Sequence, residues 1–195
     1  MIFFILIFTL ALLPSLTWLL FYLREDPHAE PPKWLWLAFF IGVGAAPVSF
    51  YIEKAAFGVT QWLGYTHGSI AQSSLFMFLG IALVEELAKF GGARVILAKN
   101  PVFDEPIDAM IYMITIALGF AAFENILVLS NYASNEFIGR AVQAIILRFI
   151  GANFLHTLAS STIGYWWARG LASGRNYGVK LVYGITTATV LHGTF

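Results

Sequence analysis

The chain alternates long apolar runs with short polar breaks, and the runs have the length of membrane spans. Met1 to Leu23 is nearly all apolar, and a bilayer crossing needs about 20 residues. It lacks a basic start and a small-residue cleavage site and is longer than a signal-peptide core, so it reads as a retained span, kinked at Pro14. The proline-rich stretch Arg24 to Lys33 (REDPHAEPPK) is a polar loop in which His28 is a solvated histidine. A second span is expected from Trp34 to about Tyr51, with Trp34 and Trp36 as interfacial anchors. Residues 53–67 mix charge, glycine and Trp62, which predicts an interfacial or re-entrant piece, with His67 carrying no special role. A third span covers Ser73 to Leu97, and the loop Lys99 to Pro106 (KNPVFDEP) follows it. A fourth runs from about Ile107 to Leu129 and a fifth from about Ile138 to Ala168. The sixth begins near Val179 and is cut off at Phe195. The expected fold is an all-α, polytopic transmembrane bundle of about six spans, forming one membrane-embedded unit over residues 1–195.

Composition narrows the function classes. Hydrophobic residues make up 59% of the chain and charged ones 11%, against roughly 25% charged in a soluble domain. Spans and short connections use up the 195 residues, so no separate soluble domain is expected. The formal net charge is zero and there is no basic run, which excludes nucleic acid as a partner. With no cysteine, disulfides and thiolate chemistry are excluded too. Lys and Arg gather around the first, third and fifth loops (Arg24, Lys33, Arg94, Lys99, Arg169, Arg175, Lys180), so the N-terminus and the C-terminal end are expected to face outward.

Charge inside the apolar runs is the informative exception. Glu85, Glu86 and Lys89 lie in the third span, where each ionisable side chain costs roughly 2.5 to 3.5 kcal/mol on insertion scales. Glu85 and Lys89 share a helix face, and Glu86 lies about 100° around from Glu85, so one lysine can serve both carboxylates. The fourth span carries Glu124 and Asn125 in the run Gly119 to Asn125 (GFAAFEN), whose small residues permit close helix approach. The fifth carries Asn153, His156 and Ser160, and the sixth carries His192. Four helices thus each bring an acid or a histidine to similar depth, where such groups face the protein interior or a watery cavity.

Each group also has a plainer reading. Glu85 with Lys89 can be a structural ion pair, which leaves Glu86 unexplained. Glu124 can be a protonated carboxyl bonded to a neighbouring helix, and His156 and His192 can be packing histidines. Arg148 can snorkel or bind a helix end, and Glu105 and Asp108 suit a helix cap. All of these would have to hold together.

The order Glu-Glu-x-x-Lys at Glu85 to Lys89, Phe-x-x-x-Glu-Asn at Phe120 to Asn125, His-x-x-x-Ser at His156 to Ser160, and His192 on the last helix resembles the PrsW family of intramembrane proteases. The run Asp104 to Tyr112 (DEPIDAMIY) resembles that family's approach to its second motif. The family is distantly similar to the CAAX-processing prenyl endopeptidases, whose second motif ends in histidine where this chain has Glu124. The resemblance covers Glu85 to the chain end. It implies an intramembrane endopeptidase in a bacterial or archaeal membrane, acting on a membrane-protein substrate, with anti-sigma factors as a substrate class. It makes Glu85 the first choice for the base that activates water.

The chemistry of these residues suits peptide hydrolysis, which needs an activated water, stabilisation of an oxyanion and a proton for the leaving amine. Glu86 would orient the water and Lys89 hold the acid pair. His156, His192 and Glu124 would complete the site, with Asn125 and Ser160 in support. A zinc version is equally open: Glu124, His156 and His192 suffice for a three-ligand site, with Glu85 as base. The zincin signature His-Glu-x-x-His is absent, so sequence fixes no cofactor. The alternative function is a proton- or ion-coupled transporter with a buried Glu/His relay, although no internal repeat relates the two halves. A non-enzymatic scaffold is a third option.

Overall fold

A computed structural model describes residues 2–25, 28–64, 70–97, 105–131 and 138–194. His67 and Asp104 lie outside them, as does most of the loop between the third and fourth spans. The elements are α1 (Ile2–Tyr22), α2 (Pro32–Trp62), α3, α4 (Pro106–Ser130), α5 (Ile138–Ile150), α6 (Ala152–Ser173) and α7 (Tyr177–Gly193). The α3 rod is composite: an α-helical start Ile70–Leu75, a π-helical middle Phe76–Ala82 and an α-helical end Leu83–Leu97. With α5 and α6 taken as one bent rod, six helical rods make up the bundle, and no strand occurs among the described residues. Among the described residues four stretches are long and apolar enough to cross a membrane: Ile5–Tyr22, Pro32–Trp62, Pro106–Ser130 and Gly139–Ser173. The protein is an integral, multi-pass membrane protein with an all-α fold.

Helix α4 is the central post. Every side chain from Ile111 to Ala122 is buried, as expected of a helix that is apolar all round. It packs against α1, α2 and α6. Its contact with α2 is backbone on backbone. A Cβ on Gly42 would lie 2.0 Å from the Ile116 carbonyl oxygen, and one on Gly119 would lie 2.0 Å from that of Phe39. Small residues bring the two helices this close, as the run at Gly119 led one to expect. The helix starts with Glu105 as N-cap and Pro106 at the first position, and the Glu105 N–H donates to Asp108 Oδ2 at 2.9 Å. Glu105 and Asp108 therefore form a capping box, the plainer of their two readings. Near the same end, buried Glu30 accepts a hydrogen bond from the Tyr112 hydroxyl.

Two expectations need correction. Residues 53–62 form no separate interfacial or re-entrant piece: they continue α2, which runs unbroken for 31 residues. No glycine or proline pair interrupts the helix there, and its charges part to opposite sides, Glu53 half-buried and Lys54 exposed. At 1.5 Å per residue α2 is about 46 Å long, beyond the ~30 Å hydrocarbon core, so a polar end needs no break. The fifth span, expected as one rod, bends at Gly151, whose φ is −94° and ψ −84°. Hydrogen bonds from Gly151 N to Leu147 O and from Leu155 N to Gly151 O, both 2.8 Å, carry the chain through the bend.

Candidate active site

The α-helical end of α3 delivers Glu85, Glu86 and Lys89 into the bundle, where Glu85 is 5% exposed and the other two are wholly buried. The Lys89 ammonium donates to Glu86 Oε1 at 2.8 Å and to His156 Nδ1 at 2.9 Å, with Glu85 Oε2 at 3.5 Å. The Phe120 ring lies beneath it, 4.3 Å from Nζ to the ring centre. Four neighbours on three helices thus replace the water that this charge gave up.

The two adjacent acids are not equivalent. Glu86 is fully committed: besides Lys89, its Oε1 meets His192 Nδ1 at 2.9 Å, and its Oε2 accepts from the Ser160 hydroxyl at 2.7 Å. Glu85 has only looser contacts, Lys89 Nζ and His192 Nε2, each at 3.5 Å. The same α-helical turn aims Glu86 at the α6–α7 contact and leaves Glu85 at its margin.

The histidine tautomers follow from these partners. An ammonium donating to Nδ1 leaves the proton of neutral His156 on Nε2, which donates to Glu124 Oε2 at 2.8 Å. In His192 the nitrogen facing Glu86 is Nδ1, so that nitrogen carries the proton and the Nε2 lone pair faces Glu85. Their rings meet edge to face, with centroids 4.7 Å apart. Each imidazole is therefore backed by a carboxylate, His192 by Glu86 and His156 by Glu124.

Sequence reasoning missed the residue that holds Glu124. The Arg148 Nη2 donates to Glu124 Oε2 at 2.9 Å, and its Nε donates to Asn125 Oδ1. Asn125 in turn donates to the Ala11 carbonyl at 3.0 Å and to Asn153 Oδ1 at 3.3 Å, and Asn153 donates to Ser15 Oγ at 2.8 Å. A polar thread thus runs from α1 through α4 and α6 to the end of α5. A lone arginine in an apolar segment was itself the signal, because such a group needs an acidic partner. Glu53 of α2 was missed as well: one of its carboxylate oxygens is buried with no hydrogen-bond partner.

A cavity of about 210 Å³ opens beside the cluster. Glu124, Arg148, His156 and His192 form its polar walls, and Met77 and Leu155 are among its apolar ones. Glu85, His156 and His192 each offer a donor atom, all within 4.8 Å of one another. One carboxylate and two imidazoles match in kind a known catalytic zinc set, and carboxylates behind ligand histidines are its usual support. The residues fit a metal, with one rearrangement: Lys89 must leave His156 Nδ1, since Glu124 occupies the other nitrogen. Glu124, expected among the ligands, stands one step back, bridging His156 and Arg148.

A buried cluster of acids and imidazoles, walling a small cavity inside a membrane bundle, offers the groups that hydrolysis within the bilayer requires. Comparison with known proteins makes this particular. A family model described as "PrsW family intramembrane metalloprotease" matches residues 30–195, and the chain belongs to that family. It is 27% identical over 176 residues to the protease PrsW of Geobacillus kaustophilus, covering 90% of this chain and 71% of that one. To the protease PrsW of Bacillus subtilis it is 26% identical over 181 residues, covering 90% and 73%. The corresponding protein of Clostridioides difficile is 27% identical over 195 residues, covering 97% and 77%. No solved structure matches the chain. The protein is an intramembrane endopeptidase that acts on membrane-embedded substrates, and the transporter alternative falls away.

Proposed function

We propose that Glu85 is the general base of this peptidase and that Glu86, Lys89, His156, His192 and Glu124 hold it and the reacting groups in place. The observation that carries this reading is the inequality of the acids: Glu86 is saturated by three close partners, whereas Glu85 has none within 3 Å. A water bridging Glu85 and the His192 Nε2 lone pair from beside them would give its proton to Glu85. Its oxygen then adds to the scissile carbonyl carbon, and the oxyanion meets the N–H donors of the cavity wall, where Arg148 stands. The C–N bond breaks as Glu85 returns the proton to the departing amine, leaving a carboxylic acid and an amine, and the acid's proton then passes to the amine to give a carboxylate and an ammonium. Lys89 balances the charge of the acid pair throughout. Asn125 supports the site by anchoring Arg148, and Ser160 by anchoring Glu86.

A bound zinc ion would supply Lewis-acid chemistry at a carbonyl or water oxygen, and Glu85, His156 and His192 are the residues that would hold it, Glu85 then serving as a ligand in place of the base. The finer substrate assignment is a membrane-spanning anti-sigma factor, cut within or next to its span. Co-reconstitution of the purified protein with a single-span anti-sigma factor tests this. A cut at or beside the span is expected, and an uncut protein beside a cleaved unrelated single-span protein would overturn the assignment. Cleavage that survives strict chelation, with no metal found in the protein, would remove the zinc version.

A further inference from the structure

Helix α1 precedes the stretch matched by the family model, yet it bonds to the helices that carry Glu124, Arg148 and His156. Ala11, Ser15, Trp18 and Tyr22 follow one another at helical spacing, which sets them in one stripe along its face. Every member of the stripe makes a hydrogen bond to another helix. The Ala11 carbonyl accepts from Asn125 Nδ2 at 3.0 Å, and Ser15 Oγ accepts from Asn153 Nδ2 at 2.8 Å. The Trp18 indole N–H donates to the Phe149 carbonyl at 2.8 Å. The Tyr22 hydroxyl meets Thr157 Oγ1 at 3.2 Å and is the donor there, since the Thr157 hydroxyl already donates to the Phe154 carbonyl.

Trp18 sits at the bend between α5 and α6. Helix α5 ends at Ile150, so the Phe149 carbonyl belongs to a helix end, where carbonyls lose their intrahelical donors. The indole supplies one. Its ring stacks on that of Phe149, with centroids 5.6 Å apart, and packs on that of Phe154, 5.4 Å away. One side chain therefore grips both arms of the bend. A tryptophan that serves only as an interfacial anchor turns its N–H to water or headgroups, whereas this one turns it to the backbone of a neighbouring helix. Gly151 has no side chain of its own, so the angle is set by what holds the two arms.

That angle matters at Glu124. Arg148, on the α5 arm, and His156, on the α6 arm, reach the same carboxylate oxygen, Oε2, at 2.9 and 2.8 Å. Groups on the two arms of one bend meet a single atom only over a narrow range of angles, and a displacement of about 1 Å takes either bond beyond hydrogen-bond distance. We propose that Trp18 is a positioning residue for peptide hydrolysis: by splinting the bend at Gly151 it holds Arg148 and His156 together on Glu124. Ser15 and Tyr22 brace the α6 arm from the same stripe. The proposal rests on the reading that Arg148 faces the scissile carbonyl, and its test tells a failure of that reading from a failure of the splint.

The bend can be measured without turnover. The chain has no cysteine, so spin labels at Val142→Cys on α5 and Leu158→Cys on α6, both exposed, report one distance across Gly151. Trp18→Leu should shift or broaden that distance. Trp18→Phe, which keeps the ring stack and loses the N–H, should change it less. With a co-reconstituted single-span substrate, kcat of Trp18→Leu should fall about 10²-fold, as for a misplacement of about 1 Å, with KM near that of the unsubstituted protein. For Trp18→Phe, short of one hydrogen bond, kcat should fall about 5- to 10-fold while the unfolding midpoint stays close to that of the unsubstituted protein. In an Arg148→Lys background Trp18→Leu should add little further loss, because the fork that it positions is gone. An unchanged spin-label distance in Trp18→Leu would overturn the splint, as would the full loss of kcat repeated in the Arg148→Lys background. A shifted distance with undiminished kcat would also overturn the positioning role, and would trace the failure to the reading of Arg148 rather than to the bend. Trp18→Phe carries the same comparisons should Trp18→Leu fail to fold.

Discussion

The carboxylates of the two carboxylate–histidine arms sit in opposite surroundings. Glu86 and Lys89 are wholly buried, and Ser160 and His192 seal the Glu86 arm among α3, α6 and α7. The Glu124 arm stands on the cavity wall, its side chain 27% exposed and that of its partner Arg148 20% exposed. The same chemical pair thus serves as a dry joint in one place and as a working surface in the other. Burial thus separates Glu86, enclosed by protein, from Glu124, open to the cavity. Glu85 lies where the two arms converge.

Breaking the dry arm should cost most. Glu86→Ala strands the Lys89 ammonium and is expected to destabilise the fold by about 3–5 kcal/mol, as when one partner of a buried ion pair is removed. Denaturant unfolding in micelles measures this, and Glu124→Ala should lose clearly less, because Glu124 and its partner Arg148 are partly exposed. If the two losses were equal, the contrast between the arms would fail. Ser160→Ala removes one hydrogen bond to a buried charge and should cost about 1.5–3 kcal/mol in the same assay. Arg148→Lys should change stability least, by about 1 kcal/mol or less, since an ammonium can still pair with Glu124 at a wet wall. It gives up the planar fork that also holds Asn125, so cleavage should fall more than stability does; equal effects would reduce Arg148 to a structural part.

Much of the bundle was legible because span length and apolar character survive without tertiary context. The run from Ile107 to Leu129 reads directly as α4, and Pro106 with Glu105 and Asp108 reads as its start. The π-helical stretch Phe76–Ala82 was not legible, since FMFLGIA carries no period that separates i→i+5 from i→i+4 bonding. Nor was the continuation of α2 through Glu53 and Lys54, where local charge pointed to an interface and helix length overrode it. Membership of the site could be proposed from motif order along the chain. The division of labour between Glu85 and Glu86 came only from the family resemblance, because which acid meets Ser160 and His192 depends on other helices. Arg148 reaches Glu124 across the fold, from the far side of the bend at Gly151.

The most direct measurement is the turnover of a co-reconstituted single-span substrate by Glu85→Gln, set beside its unfolding midpoint. Glu85 has contacts only at 3.5 Å, so the midpoint should stay near that of the unsubstituted protein. Turnover should fall by about 10²–10⁴-fold, the usual contribution of a general base. Undiminished turnover in a folded Glu85→Gln protein would contradict the central claim.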